Sequence, residues 1–273
     1  MNIIEALILG LTQGLTEWLP VSSSAHLTIL EKVMGVKVPL FFDAVLHVAS
    51  ALVLLFFLRL EVTEILRSLS RSIRHWRSGE RFSEALKTEQ GARMAWFIVL
   101  GSIPTAIIGV ALITWFETAF DALLLVGVAL TVTGIILALT ALVRKGGEKE
   151  LGVAAALTIG TAQGIAVIPG ISRLGTTIST GLFLGLDRLK AAKYSLLLAF
   201  PAILGLALVS FFRTRGETLS IDVVALCVAA ASAMVIGFLA LKILMFVISR
   251  ARFWQFAPYC IIVGLAIAIV ALS

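Results

Sequence analysis

Charge is scarce in this chain. Of 273 residues only 14% are Asp, Glu, Lys or Arg, whereas 60% are hydrophobic and the mean hydropathy is +1.07. A soluble domain carries roughly 25% charged residues. The composition excludes one and reads as a polytopic membrane protein, with a single membrane domain, residues 1–273, accounting for the length. Cysteine is nearly absent. Cys227 and Cys260 stand in separate apolar spans without a spacing pattern and read as packing residues. Cations are missing from residues 1–20, which do contain Glu5 and Glu17, so no secretory signal peptide is expected there. The excess of 22 Lys and Arg over 16 Asp and Glu need not mean nucleic acid, and no nucleic-acid partner is expected. The cations cluster between apolar spans and so set topology.

What is present is apolar sequence in crossing lengths. Six spans approach the roughly 20 residues that a crossing helix needs: Pro39–Leu58, Met94–Thr114, Ala122–Val143, Tyr194–Phe212, Val223–Ile248 and Phe256–Leu272. Four other segments, Asn2–Leu19, Ser22–Met34, Leu151–Ile168 and Ser172–Leu186, are shorter, partly polar, and interrupted at Pro20 and at Pro169-Gly170. Proline lacks the helical donor and pushes its predecessor out of the helical region. The expected fold is all-α: six transmembrane helices plus two re-entrant helix-loop-helix hairpins.

Loop charge orients the spans. Residues 59–93 carry Arg59, Arg67, Arg71, Arg74, Arg77, Arg81, Lys87 and Arg93 and form the expected cytoplasmic basic loop. Trp115–Asp121 has no cation and goes outside; Arg144, Lys145, Lys149, Arg188, Lys190 and Lys193 return inside; Arg213–Asp222 is mixed and goes outside by alternation; Arg250 and Arg252 are inside. Three crossings then separate the hairpins. An odd number inverts the second copy, which gives an inverted-topology repeat of residues 1–145 and 150–273. Such repeats place a shared site near the bilayer midplane.

The two interrupted stretches share a frame. Gly10, Gln13 and Gly14 correspond to Gly160, Gln163 and Gly164; after one gap Pro20 corresponds to Pro169, and Ser23 to Ser172. A serine-led second helix presents free N–H groups and the positive end of a dipole, which suits an anion. Arg173 can grip a phosphate with two hydrogen bonds, and Gly170 and Gly175 admit close backbone approach. Gln13 and Glu17, four apart, share a helix face and can hold a hard divalent cation, Mg or Ca, with phosphate oxygens and water completing the shell. Ser23 and His26 share the next face. His26 can take the serine proton, attack phosphorus itself, or serve as general acid. Plainer readings stand beside these. Ser22, Ser24, Thr176 and Thr177 can bond back to the chain or join helices, as can Gln13. Glu17 and Arg173 can be a structural ion pair. His47, near Asp43, reads as packing or as support to the site, and His75 as solvated. Gly181 and Gly185 suit helix packing. Glu17, His26 and Arg173 are the hardest to set aside, because an Asp or Arg at the bilayer centre costs at least about 2.5–3.5 kcal/mol on insertion scales.

The run Gln13 to Glu17, then Leu19 to His26, with Pro169-Gly170-Ile171-Ser172-Arg173 later, resembles the undecaprenyl-diphosphate phosphatase family of bacitracin resistance. The likeness extends to Phe42–His47 and to Ala199–Ala202, and so covers nearly the whole chain. It implies removal of the terminal phosphate of a polyprenyl diphosphate with a divalent cation, in the cell membrane, at a site opening to the outer face. It implies Glu17 and Gln13 as the acid or amide pair, Ser23 as nucleophile, His26 as an essential histidine, and Ser172, Arg173 and Thr177 as the phosphate motif; the helix start at Ser22 and the close approach at Gly170 add these two as phosphate-binding candidates. The family's second motif usually has serine after the arginine; here that residue is Leu174. A transporter or flippase of a prenyl phosphate or another anion is the competing expectation, since broken-helix repeats are common in transporters. Oligomeric state is open, a homodimer included.

Overall fold

The computed structural model describes residues 1–77, 89–112, 123–143, 147–213 and 222–272. Among these the chain is all-helical, with eleven α-helices and no strand beyond one isolated bridge, Lys149 to Leu186. They are α1 (Ile3–Trp18), α2 (Ser23–Met34), α3 (Leu40–Phe57), α4 (Arg59–Arg77), α5 (Gln90–Ala111), α6 (Leu123–Leu139), α7 (Val153–Ile165), α8 (Arg173–Phe183), α9 (Arg188–Arg213), α10 (Val223–Ser249) and α11 (Ala257–Leu272). Six are long and apolar enough to cross a bilayer: α3, α5, α6 with its following 3₁₀ turn, α9, α10, and α11 with its preceding turn. These are the six expected spans, with ends moved by a few residues. The span ends Thr114 and Ala122, and residues 115–121, 144–145 and 214–221 used for orientation, lie outside the described residues.

The basic stretch is not simply a loop. Its first 19 residues are the helix α4, which packs on α5. The stretch offers no continuous apolar run, because this helix has only narrow apolar faces.

Small residues decide which helices touch. α1 lies along α10, where Gly14 faces the Ala233 carbonyl closely enough that an added Cβ would sit 2.5 Å from it. α7 lies along α5 in the same manner, with Gly160 against the Gly101 backbone. α6 and α11 meet along a seam in which a Cβ on Gly127 would sit 2.7 Å from the Gly264 carbonyl. Lipid offers no hydrophobic drive between helices, so close van der Waals approach at such seams holds the bundle. Between these pairs α3 crosses α9, and the main apolar cluster, with Trp18, Leu54, Leu130, Ile178, Tyr194 and Leu241 among its buried members, fills the centre. Pro104 and Pro201 lie inside α5 and α9, an interruption that membrane helices accommodate by local adjustment and by packing against their neighbours.

Candidate functional site

The two breaks come together. α1 ends at Trp18, the chain turns through Leu19–Val21, and α2 begins at Ser23. α7 ends at Ile165, and Ser172 caps α8 by accepting a hydrogen bond from the Gly175 amide at 3.1 Å. Gly170 turns the second break at φ +95°, and a Cβ there would run into the Val126 carbonyl, so glycine is required. Ser22 holds φ +66° with a side chain present, a conformation that carries strain. Its hydroxyl makes no cap to α2 and lies 3.1 Å from the Ser24 hydroxyl. The Gly170 amide donates to the Ser24 oxygen at 3.4 Å and so ties one break to the other.

Arg173 Nη1 stands 3.6 Å from Glu17 Oε1. The Glu17 side chain is 5% exposed and that of Arg173 24%, and Arg173 Nη1 is buried without a hydrogen-bond acceptor. The other carboxylate oxygen of Glu17 accepts the Ser23 hydroxyl at 2.6 Å and the Gln13 amide at 3.3 Å. Gln13 is fully buried, and its Nε2 also donates to His47 Nδ1 at 3.1 Å. That bond makes Nδ1 an acceptor, so the 3.9 Å approach of Asp43 to the same nitrogen is not an ion pair. Gln13 Oε1 is left buried with no partner.

His26 is held apart from Ser23. Its Nδ1 donates to the Ser22 carbonyl at 2.8 Å, which leaves the lone pair on Nε2; the Tyr259 hydroxyl donates to that atom at 2.7 Å. The Tyr259 ring lies parallel to the imidazole, with centroids 5.7 Å apart. Among the described residues Ser23 is bonded to Glu17 and not to His26. Thr177 donates to the Arg173 carbonyl at 2.9 Å and Thr176 to the Ser172 carbonyl at 2.8 Å. Leu174 is 2% exposed and belongs to the apolar core.

Two contributors escaped the sequence. Tyr259 comes from α11, 233 residues from His26. Thr133 of α6 accepts from the Ser172 amide at 3.0 Å and lies 3.2 Å from the Gly170 carbonyl. The only signal either residue offers is a polar group within an apolar span.

No group of three His, Cys, Asp or Glu is placed to hold a metal among the described residues. Gln13 Oε1, buried without a partner, and the Glu17 carboxylate are two hard oxygen donors on residues joined through the Gln13 amide nitrogen. That set fits a cation completed by a ligand's oxygens and water.

Comparison with known proteins identifies the family. The profile of the family described as Bacitracin resistance protein BacA matches residues 6–266. A protein of Desulforapulum autotrophicum named undecaprenyl-diphosphatase is 42% identical over 276 residues, covering 99% of each chain. Proteins of the same name from Desulfosudis oleivorans (42% identical, 97% of each chain) and Korarchaeum cryptofilum (37%, 98% of each) are similar along their length. With a family match spanning nearly every residue and relatives this close from end to end, the chain belongs to the BacA bacitracin-resistance family.

Proposed function

We propose that this chain is a membrane-embedded undecaprenyl-diphosphatase, which cleaves the terminal phosphate from undecaprenyl diphosphate to leave the lipid monophosphate and inorganic phosphate. One observation carries the reading. A buried carboxylate, Glu17, holds a serine hydroxyl at 2.6 Å on one oxygen and faces a guanidinium at 3.6 Å on the other. Arg173 binds the phosphate and Glu17 acts as base. The Ser23 oxygen attacks the terminal phosphorus as its proton passes to Glu17, and the bridging P–O bond breaks toward the lipid monophosphate. Glu17 hands that proton to the leaving phosphate oxygen and is again basic for the water that hydrolyses the phosphoserine. Free amides at the uncapped start of α2, with Ser22, Gly170 and Ser172 beside them, complete the anion cradle. Gln13 and Glu17 would hold the divalent cation, Mg or Ca. When bound, it neutralises charge on the diphosphate.

His26 is the alternative nucleophile. Its lone-pair nitrogen is occupied by the Tyr259 hydroxyl, which favours Ser23. The same packing supports a re-entrant, inverted-repeat arrangement of residues 1–145 and 150–273. α1 lies on α10 as α7 lies on α5, and Gln13 and Gln163 are buried at matching places. On this reading, with three spans between the breaks, the site lies near the midplane of the plasma membrane and opens to the outer face. Phosphate release from undecaprenyl diphosphate by the purified chain in detergent tests the function. A flippase would release none, and chelator should stop release without unfolding the protein. Acid-stable phosphoserine in a trapped intermediate supports Ser23, whereas an acid-labile adduct points to His26.

A further inference from the structure

One residue, Leu58, separates α4 from the end of α3, and three contacts fix its level in the fold. Glu61 pairs with Lys193 of α9 at 2.7 Å, Arg71 pairs with Glu89, the N-cap of α5, at 2.7 Å, and Ser68 and Ser72 are buried in the face toward the body. The end of α3 and the starts of α5 and α9 therefore meet on α4. A helix tied to three span ends runs along the membrane boundary and not across it.

Its two other faces have different chemistry. At 100° per residue, Val62, Leu66, Leu69, Ile73 and Trp76 form one stripe. Leu66, Ile73 and Trp76 on it are 60%, 45% and 61% exposed. Beside that stripe lie Arg59, Arg67, Arg74 and Arg77, all exposed and none in an ion pair with a carboxylate among the described residues. A narrow apolar stripe with a tryptophan, flanked by arginines on a helix of low overall hydrophobicity, is the pattern of a helix lying in a bilayer interface.

We propose that α4 is a docking surface for anionic phospholipid. Its stripe sinks between acyl chains while Arg59, Arg67, Arg74 and Arg77 hold the phosphates of acidic headgroups. Charge complementarity at the boundary favours lipid over protein. A basic residue beside an anionic leaflet is worth about fivefold in binding.

The test uses the full chain reconstituted in nanodiscs containing brominated phosphatidylglycerol or, at equal fraction, brominated phosphatidylcholine. Quenching of Trp76 is read as the difference between the chain and its Trp76→Phe variant. The expected result is quenching by both lipids, several-fold stronger by phosphatidylglycerol, falling to parity in an Arg67→Gln, Arg74→Gln, Arg77→Gln variant and at high salt. Equal quenching in the unmodified chain would overturn the anionic preference. No quenching by either lipid would overturn the docking itself, and cross-linking of Leu66→Cys chains would then identify a second copy as the occupant. None of these readouts depends on phosphatase activity.

Discussion

Arg173→Met, Glu17→Gln and the double variant should show strong energetic coupling. The two charges lie 3.6 Å apart, and at an effective dielectric of 20 their attraction is about 4–5 kcal/mol. Breaking a buried pair from one side typically costs about 3–5 kcal/mol, because the remaining charge is stranded. Glu17 is the deeper partner at 5% side-chain exposure, so Arg173→Met should cost about 3 kcal/mol. Arg173, at 24%, keeps some access to polar surroundings, so Glu17→Gln should cost less, about 2 kcal/mol. The double variant strands neither charge and should recover about 2 kcal/mol relative to the sum of the two.

The assay is thermal unfolding of the purified chain in one detergent at one pH. At about 2–4 °C per kcal/mol, Arg173→Met should lower Tm by about 6–12 °C, and the double variant by clearly less than the two single losses added together. All three variants should fail to release phosphate, so the thermal measurement isolates the pairing from the chemistry. Additivity within about 0.5 kcal/mol would refute the reasoning, since it would mean that the two groups do not feel each other.

Three further outcomes follow from the same contacts. Tyr259→Phe keeps the ring parallel to His26 but removes the 2.7 Å bond to Nε2, so turnover should fall up to about tenfold, and Tyr259→Ala should fall further in the same phosphate-release assay. Gly160→Ala would press a methyl into the Gly101 backbone and should lower Tm by the equivalent of about 2–3 kcal/mol, whereas Gly109→Ala, with open space around it, should hold or raise stability by up to about 1 kcal/mol. Ser172→Ala removes the α8 cap and should cost about 1 kcal/mol, but Ser22→Gly relieves a positive φ and should leave Tm unchanged or higher, both read by thermal unfolding.

What the sequence disclosed depended on rarity. In a chain this apolar, the ionisable groups at Glu17 and Arg173 stand out, and the prolines beside them mark where helices must stop, so the meeting of two breaks was legible. The partner of Ser23 was less so. Helical spacing put Ser23 and His26 on one face, but α2 starts only at Ser23, and the turn through Pro20 carries Glu17 back to the hydroxyl first. The spacing that marks α4, Val62 to Trp76, was present but lay inside a run of arginines that read as loop. Tyr259 and Thr133 had no local pattern at all, since each acts through a contact made only when distant helices pack.

Those two residues explain why the site holds its shape. Each break is held from behind by a helix of the other half of the chain. Thr133 of α6 holds the Ser172 amide at 3.0 Å, while on α11 Cys260 donates to the Pro20 carbonyl at 3.4 Å and Tyr259 to His26 at 2.7 Å. α6 and α11 in turn touch along the Gly127–Gly264 seam, where backbone meets backbone with no side chain between. The spacing of the two breaks, and with it the 3.6 Å gap between guanidinium and carboxylate, is therefore coupled to the thickness of a glycine contact. The packed interior cannot absorb an added methyl there without moving backbone. A side chain at Gly127 should thus weaken the Glu17–Arg173 coupling without touching either residue, because it pushes apart the two helices that support them.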